Sequence, residues 1–403
     1  MSNFEWRKKL MILGAGLFQV PGIRKAVELG HYVISVDDRP DSIGHKFSHQ
    51  YLNCSTTERE KLADQAEKLA IDGICTFSSD LAVASVGYVC DQLHLPGVSL
   101  ATARRMSTKH IFRGAQRRAN LPHPEFVASQ SLDELSSLVR QLHFPVVIKP
   151  VDSSGSRGVQ LMPYLSISDL ASAFAFARSF SSSGVVCVEE FVEGREFGGD
   201  GILFGGQLVF VAITEKHLAD FVVIGHNLPS TLSQYDRHRV RLAVEDCCRA
   251  VGYCEGPVNF DVKVSPECVV VLEMSARNGG NGIPAVIKRA TDVDVEEVTI
   301  RLAVGDMRQL PESKQPMHGA ASLVFGSQTR GNLGRISDFA EVKAAVPELV
   351  ELSLAVPLGG SVEPFQHNGN LIGYAVFDCE TAGQFTEIAA RIESALDIRV
   401  DPS

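Results

Sequence analysis

The sequence lacks the cysteine spacing of a metal site or of a disulfide framework. Its nine cysteines are scattered, and none belongs to a Cys-x-x-Cys pair, which is the spacing that zinc ligands often share. Scattered cysteines of this kind usually behave as small apolar side chains in a reducing compartment. The sequence therefore predicts neither a zinc site nor a secreted, disulfide-stabilised fold.

Two further absences limit the partners of the chain. No apolar run approaches the roughly 20 residues of a membrane helix, and the short apolar stretch near the N-terminus leads into a glycine turn, as a first β-strand does. The formal net charge of −10 gives no general attraction to nucleic acid or to an anionic membrane. We therefore predict a cytoplasmic protein without nucleic-acid or membrane partners, in which local groups hold any phosphate-bearing ligand.

The alternation of patterns along the chain predicts an α/β protein. A length of 403 residues is that of two or three domains. The first part has strand patterns at 10–13, 33–36 and 73–77 and helical patterns at 21–29 and 59–70, which together favour a parallel sheet with crossover helices. A helix is expected over 107–120, before the prolines of Leu121-Pro-His-Pro124.

The remainder of the chain is expected to contain more strands than helices. Strands are predicted at 145–150, 185–190, 201–204, 208–213, 258–264 and 269–274, and a helix over 167–179. The pattern changes near residue 306, after which we expect strands at 320–325, 350–356 and 371–377 and a closing helix over 382–396. Asn368-Gly369 is predicted to form a hairpin turn.

A glycine-rich turn near the N-terminus resembles part of a dinucleotide fingerprint. Gly14 and Gly16 occupy the first two glycine positions of Gly-x-Gly-x-x-Gly/Ala, and Asp37 follows at the distance of a ribose-binding acid. The third small residue is replaced by Gln19, although close packing of helix and strand requires a small side chain there. The fingerprint is broken, so an NAD-dependent oxidoreductase and a βα turn without cofactor are both considered.

A second loop has the composition of a phosphate-binding segment. Lys149 ends an apolar strand and is followed by Asp152-Ser-Ser-Gly-Ser-Arg-Gly158. The backbone N–H groups of such a loop and a nearby cation suit an anionic phosphate chain. The segment is not a Walker A loop, because no Gly-Lys-Ser/Thr precedes a helix.

The most specific feature is a pair of acids on two strands that a short turn connects. If the strands at 258–264 and 269–274 pair around Glu267, Asp261 lies directly opposite Glu273, and Asn259 and Lys263 share their face. Facing carboxylates are unfavourable without a cation, and Mg²⁺ commonly binds one or two carboxylates together with substrate phosphates. Arg277, in the glycine-rich stretch that follows, is placed to neutralise a phosphoryl group or an acyl-phosphate oxyanion.

Together these segments resemble the ATP-grasp superfamily over most of the chain. The resemblance rests on the order of Ser107-Thr-Lys-His-Ile-Phe-Arg113, Val147-Ile-Lys-Pro150, Asp152–Gly158, Val188-Glu-Glu-Phe-Val-Glu-Gly-Arg-Glu-Phe197 and Leu272-Glu-Met-Ser-Ala-Arg-Asn-Gly-Gly280. It implies a Rossmann-like pre-ATP-grasp domain (1–105), a two-lobed ATP-grasp domain that binds nucleotide and Mg²⁺ (106–305) and a C-terminal α+β domain that completes the substrate cleft (306–403).

The resemblance also implies a role for each matching residue. Two lysines would hold the ATP phosphates, the glycine-rich loop would close over the nucleotide, and a following segment would contact adenine and other polar groups. The nucleotide-binding positions are Lys109, Lys149, Ser153, Ser154, Gly155, Ser156, Gly158, Glu189, Glu190, Val192, Glu196 and Gly280. Asp261 and Glu273 match the ligands of Mg²⁺ (or Mn²⁺), and Arg277 matches a phosphate-binding arginine.

Two positions depart from the pattern of the superfamily. The first metal position, often Glu, is the shorter Asp261, and the third polar ligand, usually Asn, is Ser275. Both changes put the number of metal ions in doubt. Among subgroups, the sequence is most similar to amino-acid ligases that form dipeptides. The stretch Gly225-His-Asn-Leu-Pro-Ser230 resembles a segment of that group with a histidine that contacts substrate or phosphate. The resemblance implies this role for His226.

The reaction that the resemblance implies is an ADP-forming ligation. A carboxylate, expected to be that of an amino acid, is activated by ATP as an acyl phosphate and then joined to an amine. A carboxylase or a purine-biosynthesis ligase of the same superfamily, an NAD-dependent oxidoreductase and a non-catalytic nucleotide-binding module are the alternatives. Many proteins of this superfamily are dimers, so a homodimer is also expected.

Overall fold

The computed structural model describes residues 7–307, 311 and 316–402. Its N-terminal part is a parallel sheet in the order β3-β2-β1-β4, built from Lys9–Leu13 (β1), Tyr32–Asp37 (β2), Gln50–Asn53 (β3) and Gly73–Thr76 (β4). The two central strands and β4 are almost wholly buried, whereas the edge strand β3 is partly exposed. The helices Val20–Glu28 (α1) and Arg59–Leu69 (α2) connect strands of this sheet, and Asp80–Leu93 (α3) follows β4.

The helix predicted over 107–120 is wrong at its start, because two helices meet there. They are Leu100–Ser107 (α4) and Lys109–Arg118 (α5). Thr108 between them has φ −104° and ψ 105°, which is not helical. The backbone N–H of Lys109 donates instead to the carbonyl of Val151, at 2.9 Å. The break therefore ties Lys109 to the strand that carries Lys149.

A small antiparallel sheet follows, in the order β5-β8-β6-β7. Its strands are Phe126–Ser129 (β5), Val146–Pro150 (β6), Gln160–Met162 (β7) and Val186–Glu190 (β8). The helices Leu132–Leu138 (α6) and Ile167–Ser179 (α7) pack their apolar side chains against it to form one core. The strands and the long helix predicted here agree with the structure.

A large antiparallel sheet carries the rest of the predicted site. Its order is β13-β12-β9-β10-β11-β14-β18-β16, with strands Arg195–Phe204 (β9), Gln207–Ala219 (β10), Val222–Leu228 (β11), Gly256–Val264 (β12), Val269–Ser275 (β13), Ala320–Phe325 (β14), Leu349–Leu354 (β16) and Gly373–Asp378 (β18). The helices Gln234–Val251 (α8), Ile283–Thr291 (α9) and Val295–Ala303 (α10) connect them. The sheet continues across residue 306, and the domain boundaries stay predictions.

The C-terminal part adds a three-stranded sheet, β17-β15-β19, of Ser361–Val362, Gly331–Arg335 and Arg399–Asp401, with helices Phe339–Ala345 (α11) and Ala382–Leu396 (α12). The predicted hairpin at Asn368-Gly369 is wrong. Asn368–Asn370 is a 3₁₀ turn, and β18 pairs with β14 and β16. Asn368 Nδ2 donates to the carbonyl of Val223 and to Asn281 Oδ1, which fastens this turn to the large sheet.

No helix in the described ranges is long and apolar enough to span a bilayer.

Candidate active site

A cleft of about 440 Å³ opens between the small sheet, the large sheet and the N-terminal unit. Every site residue predicted from the sequence, except Gly158, lines this cleft. Gly158 has φ 73°, and a Cβ there would approach Phe180 Cδ2 and Pro150 Cδ at 3.0 and 3.1 Å. The glycine therefore lets the loop turn closely over the end of α7.

One wall of the cleft holds a buried group of charges around Glu189. Glu189 Oε2 lies 2.8 Å from Lys149 Nζ and 3.1 Å from Arg113 Nη2, and its residue is 3 % exposed. Burial raises the pKa of this carboxyl, but Arg113 and Lys149 outweigh burial and lower the pKa to about 2. The carboxylate therefore stays ionised and fixes Lys149 at the edge of the cleft.

Lys109 approaches the same region from α5. Its Nζ donates to the carbonyl of Ser153 at 2.6 Å and lies 3.4 Å from Glu273 Oε1. Burial raises the pKa of Glu273, but Lys109 and Lys149 together bring that pKa below its ordinary value. The two lysines predicted to hold phosphate thus lie in one electrostatic cluster with a proposed metal ligand.

The acid pair has the register predicted from the sequence. In the β12–β13 ladder Asp261 is opposite Glu273 and Asn259 is opposite Ser275. The side chain of Glu273 is 44 % exposed, and because it lines the cleft this exposure is to the cleft. Both carboxylates therefore face the space in which the predicted nucleotide would lie.

Lys216 on β10, which the sequence analysis missed, lies against this pair. Its Nζ is 2.9 Å from Asp261 Oδ2 and 2.6 Å from Glu196 Oε1. Burial lowers the pKa of Lys216, but these two carboxylates outweigh burial and raise it. Burial also raises the pKa of Asp261 in spite of the lysine, and the carboxylates of Glu196 and Glu273 add to that effect.

The two carboxylates of Asp261 and Glu273 would form a Mg²⁺ site only together with a bound nucleotide. Among the described residues, no group of three or more His, Cys, Asp or Glu side chains is arranged to hold a metal ion. Two carboxylates that face one cleft are nevertheless the protein share of a typical Mg²⁺ site, which completes its octahedron with phosphate oxygens and water. Asp261 and Glu273 are the residues that would hold the ion.

Arg277 is fixed on three sides. Its Nε and Nη2 donate to Asp80 Oδ1 and Oδ2, both at 2.9 Å, and its Nη1 donates to Asn259 Oδ1 at 2.9 Å. Asn259 Nδ2 in turn donates to Asp200 Oδ1 at 2.9 Å, and the same carboxylate accepts the backbone N–H of Gly279. The loop that carries Arg277 is therefore anchored to the large sheet.

His226 is buried and electrically neutral. Thr214 Oγ1 donates its single proton to the carbonyl of Gly198, so at 2.9 Å it accepts from His226 Nδ1. Burial, together with Lys216, lowers the pKa of His226 well below its ordinary value. The tautomer leaves Nε2 as an acceptor, which suits an N–H donor better than a phosphate anion.

The glycine-rich loop and the segment around Glu190 also line the cleft. Ser156 has φ 61° and donates through Oγ to the carbonyl of Phe221 at 2.5 Å, which holds the loop against the large sheet. Glu190 Oε1 accepts the backbone N–H of His143 at 2.8 Å, and Lys263 Nζ lies 4.4 Å from the centroid of the Phe191 ring. Glu190 and Val192 both border the cleft, as an adenine-contacting segment must.

The side chain of Gln19, the residue that departs from the dinucleotide fingerprint, fills the space beside the N-terminal glycine turn. Gln19 is 8 % exposed and donates through Nε2 to the carbonyl of Phe77 at 2.5 Å. A Cβ on Gly14 would meet the Gln19 side chain at 3.1 Å. Asp37 accepts the backbone N–H of Ala15 at 2.9 Å. The glutamine thus occupies the space beside the turn where a pyrophosphate would need access.

The comparison with protein families agrees with this geometry. Residues 142–285 match the model of the ATP-grasp domain, and they include Lys149, the glycine-rich loop, the acid pair and Arg277. The chain therefore contains an ATP-grasp domain. The predictions of an ATP-grasp α/β fold, of an enzyme of the ATP-grasp ligase class and of ATP with Mg²⁺ or Mn²⁺ are thereby confirmed.

Similar proteins extend the likeness beyond the matched domain. An uncharacterized protein of Sinorhizobium fredii, y4rH, is 27 % identical over 359 residues, which are 86 % of this chain and 73 % of that one. A formate-dependent phosphoribosylglycinamide formyltransferase of Burkholderia mallei is 30 % identical over 189 residues, 46 % of each chain, so the match spans about half its length. The crystal structure of an L-amino acid ligase from Bacillus licheniformis has a TM-score of 0.82 at 19 % identity, with 98 % of this chain and 100 % of that chain covered, and shows the same fold.

Four charged residues that contact the candidate site residues have no prediction from the sequence: Asp80, Arg113, Asp200 and Lys216. Asp80 had a recognisable signal, because Ser78-Ser-Asp80 follows a parallel strand at its carboxyl end, which is where α/β sheets bind ligands. The other three lie on a helix and on long strands without any local motif. Their role depends on which strands become neighbours.

Proposed function

We propose that this ATP-grasp protein joins the carboxylate of an amino acid to an amine, with an acyl phosphate as the intermediate. The observation that carries the proposal is the convergence of Lys109, Lys149, the Asp261–Glu273 pair and Arg277 on one cleft. In the first step a carboxylate oxygen attacks the γ-phosphorus of ATP, and the bond to ADP breaks. The amine nitrogen then attacks the acyl carbon, phosphate leaves, and the nitrogen loses a proton.

The residues act mainly by position and charge. Lys109 and Lys149 offset the negative charge of the phosphates, Arg277 does so beside the reacting carboxylate, and His226 Nε2 accepts a hydrogen bond from the amine. Mg²⁺ held by Asp261 and Glu273 would add Lewis-acid polarisation of the phosphoryl oxygens. Closure of the loop around Ser156 excludes water from an intermediate that hydrolyses readily.

The chemistry of one end of the cleft favours an amino acid over a phosphorylated substrate. We call this end, formed by Phe18, Ser78, Gly280, Asn281, Ile283 and Asn368, the acceptor end. None of the six side chains is charged, and the neighbouring Arg277 is neutralised by Asp80. A phosphoribosyl group is commonly held by a cation, and these six residues supply none. The proposed partners are therefore small, phosphate-free carboxylates and amines, while the homodimer and the cytoplasmic location stay predictions.

The test is release of ADP and phosphate from MgATP in the presence of pairs of amino acids, with the product identified by mass. We expect amide product from at least one pair. Lys149→Ala and Glu273→Ala should abolish turnover, whereas Lys61→Ala, which removes an exposed lysine of α2, should retain it. Release of ADP only with phosphoribosyl amines or with bicarbonate would refute the proposed substrate class, and NAD(P)H chemistry without ADP release would refute the ligase.

A further inference from the structure

Asp80 is the carboxylate that the N-terminal unit contributes to the cleft. It is the first residue of α3 and lies between the main cleft and an adjoining cavity of about 230 Å³, lining both. Its two oxygens accept parallel hydrogen bonds from Nε and Nη2 of Arg277. The contact joins residues 197 positions apart in the sequence, so it exists only when the two units are packed together.

The Asp80–Arg277 pair keeps hydrogen-bonding capacity on both of its sides. An ionised carboxylate offers about four lone-pair positions, and Arg277 uses two of them. Nη1 of Arg277 donates to Asn259 Oδ1 and to the carbonyl of Asn278, so four of the five N–H groups of the guanidinium are used and the second N–H of Nη2 is left for a ligand. The Ser275 side chain also interacts with the Asp80 carboxylate, but the side chain of Asp80 is still 23 % exposed and lines the cleft, so acceptor capacity remains for a ligand.

A zwitterion matches such a pair better than a simple anion does. A simple carboxylate that approaches Arg277 meets the negative charge of Asp80 beside it. In an α-amino acid the ammonium group is separated from the carboxylate by a single carbon, so the two ends of the ligand can face Arg277 and Asp80 together. The carboxylate of the ligand gains a cation and its ammonium gains an anion, without an uncompensated charge in the cleft.

We propose that Asp80 is a specificity residue that binds the α-ammonium group of the amino acid whose carboxylate is activated beside Arg277. The inference rests on the proposed function, because it assigns one group of its substrate. It predicts that the enzyme distinguishes an α-amino acid from the same carboxylic acid without the amino group. A residue that merely oriented Arg277 would affect both compounds equally.

The experiment compares two matched acids as carboxylate substrates, with MgATP and with hydroxylamine as a common nucleophile that converts the acyl phosphate to a hydroxamate. L-Leucine and 4-methylpentanoate differ only in the amino group, and L-alanine and propionate are a second such pair. The variants are Asp80→Asn, which keeps the shape of the side chain, and Asp64→Asn, which removes an exposed carboxylate of α2 as the matched control. Binding of MgATP, measured by calorimetry, reports whether Asp80→Asn keeps a folded nucleotide site.

In at least one of the two pairs, we expect the wild type to have a higher kcat/KM for the amino acid than for the acid without the amino group. The ratio of these two kcat/KM values measures the preference. Asp80→Asn should lower that ratio by about 10- to 100-fold, chiefly through KM, as loss of a charge-assisted hydrogen bond does, while Asp64→Asn should not change it. Equal losses with both acids, or a wild type that does not prefer the amino acid, would overturn the role of Asp80 and leave the ligase intact. Absence of hydroxamate and ADP with every carboxylate would refute the proposed function itself, as would a wild type that binds no MgATP.

Discussion

Replacement of Glu189 by Gln tests the buried charge cluster around Lys149, which we propose binds the nucleotide. Glu189 is buried against Arg113 and Lys149, so the amide would leave two cations without their counter-charge. Breaking a buried ion pair in this way typically costs about 3–5 kcal/mol. We therefore expect Glu189→Gln to be strongly destabilising at neutral pH.

The lowered pKa of Glu189 reflects the same ion pairs with Arg113 and Lys149 and points to a cost of similar size. The pKa falls from its ordinary 4.5 to about 2 in the folded protein, and a shift of this size corresponds to roughly 3 kcal/mol. Because the folded pKa is the lower one, this stabilisation is complete above pH 4.5 and is lost as the pH falls towards 2. About 1 kcal/mol of it should already be lost at pH 4.

The assay is urea denaturation followed by far-ultraviolet circular dichroism at pH 7 and pH 4. The gap in unfolding free energy between wild type and Glu189→Gln should be about 3 kcal/mol at pH 7 and smaller by about 1 kcal/mol at pH 4. Glu125→Gln is the matched control, since the Arg117–Glu125 pair is 48 % and 60 % exposed and should contribute less than about 1 kcal/mol. Equal stability of the two variants, or a gap independent of pH, would refute the reasoning.

Three more outcomes are expected. Gly279→Ala should reduce kcat sharply and lower Tm, because a Cβ would lie 2.8 Å from Asn259 Nδ2 and 3.0 Å from Asp200 Oδ1. Unchanged kinetics would contradict the anchoring of the Arg277 loop. Wild type should lose thermal stability relative to His226→Asn as the pH falls below 6.5, because the buried imidazole resists a proton that the unfolded chain accepts; parallel Tm profiles between pH 8 and pH 5.5 would exclude this. MgCl₂ alone should leave Tm unchanged and MgATP should raise it, whereas equal stabilisation by both would show a metal site that forms without nucleotide.

The parts of the site that lie on neighbouring strands could be predicted from the sequence. A two-residue period and a short turn suffice to place Asp261 opposite Glu273, and the structure has that register. The lysine at the end of β6 and the loop after it also follow from local patterns. Such features depend on a few successive residues, so tertiary contacts have little opportunity to override them.

Contacts between distant segments could not be predicted in this way. Lys216 reaches Asp261 only because β9 lies between β10 and β12 in the large sheet, and strand order is not encoded by the period of one strand. The helix predicted over 107–120 is present as Lys109–Arg118, and its start is displaced for a similar reason, because the hydrogen bond from Lys109 to Val151 separates it from the preceding helix. The Asn368 turn likewise depends on its contacts with Val223 and Asn281.

The charged side chains of the cleft are already paired with one another. A charged ligand therefore has to replace an existing ion-pair partner. Asp261 is held by Lys216, Glu273 by Lys109, and Arg277 by Asp80. A bare divalent cation would have to displace lysines that gain nothing in return, and leaving a buried charge uncompensated costs several kcal/mol. A nucleoside triphosphate would supply the anions that these lysines need and would leave the two carboxylates free to bind the metal. Nucleotide and metal should therefore enter this site together.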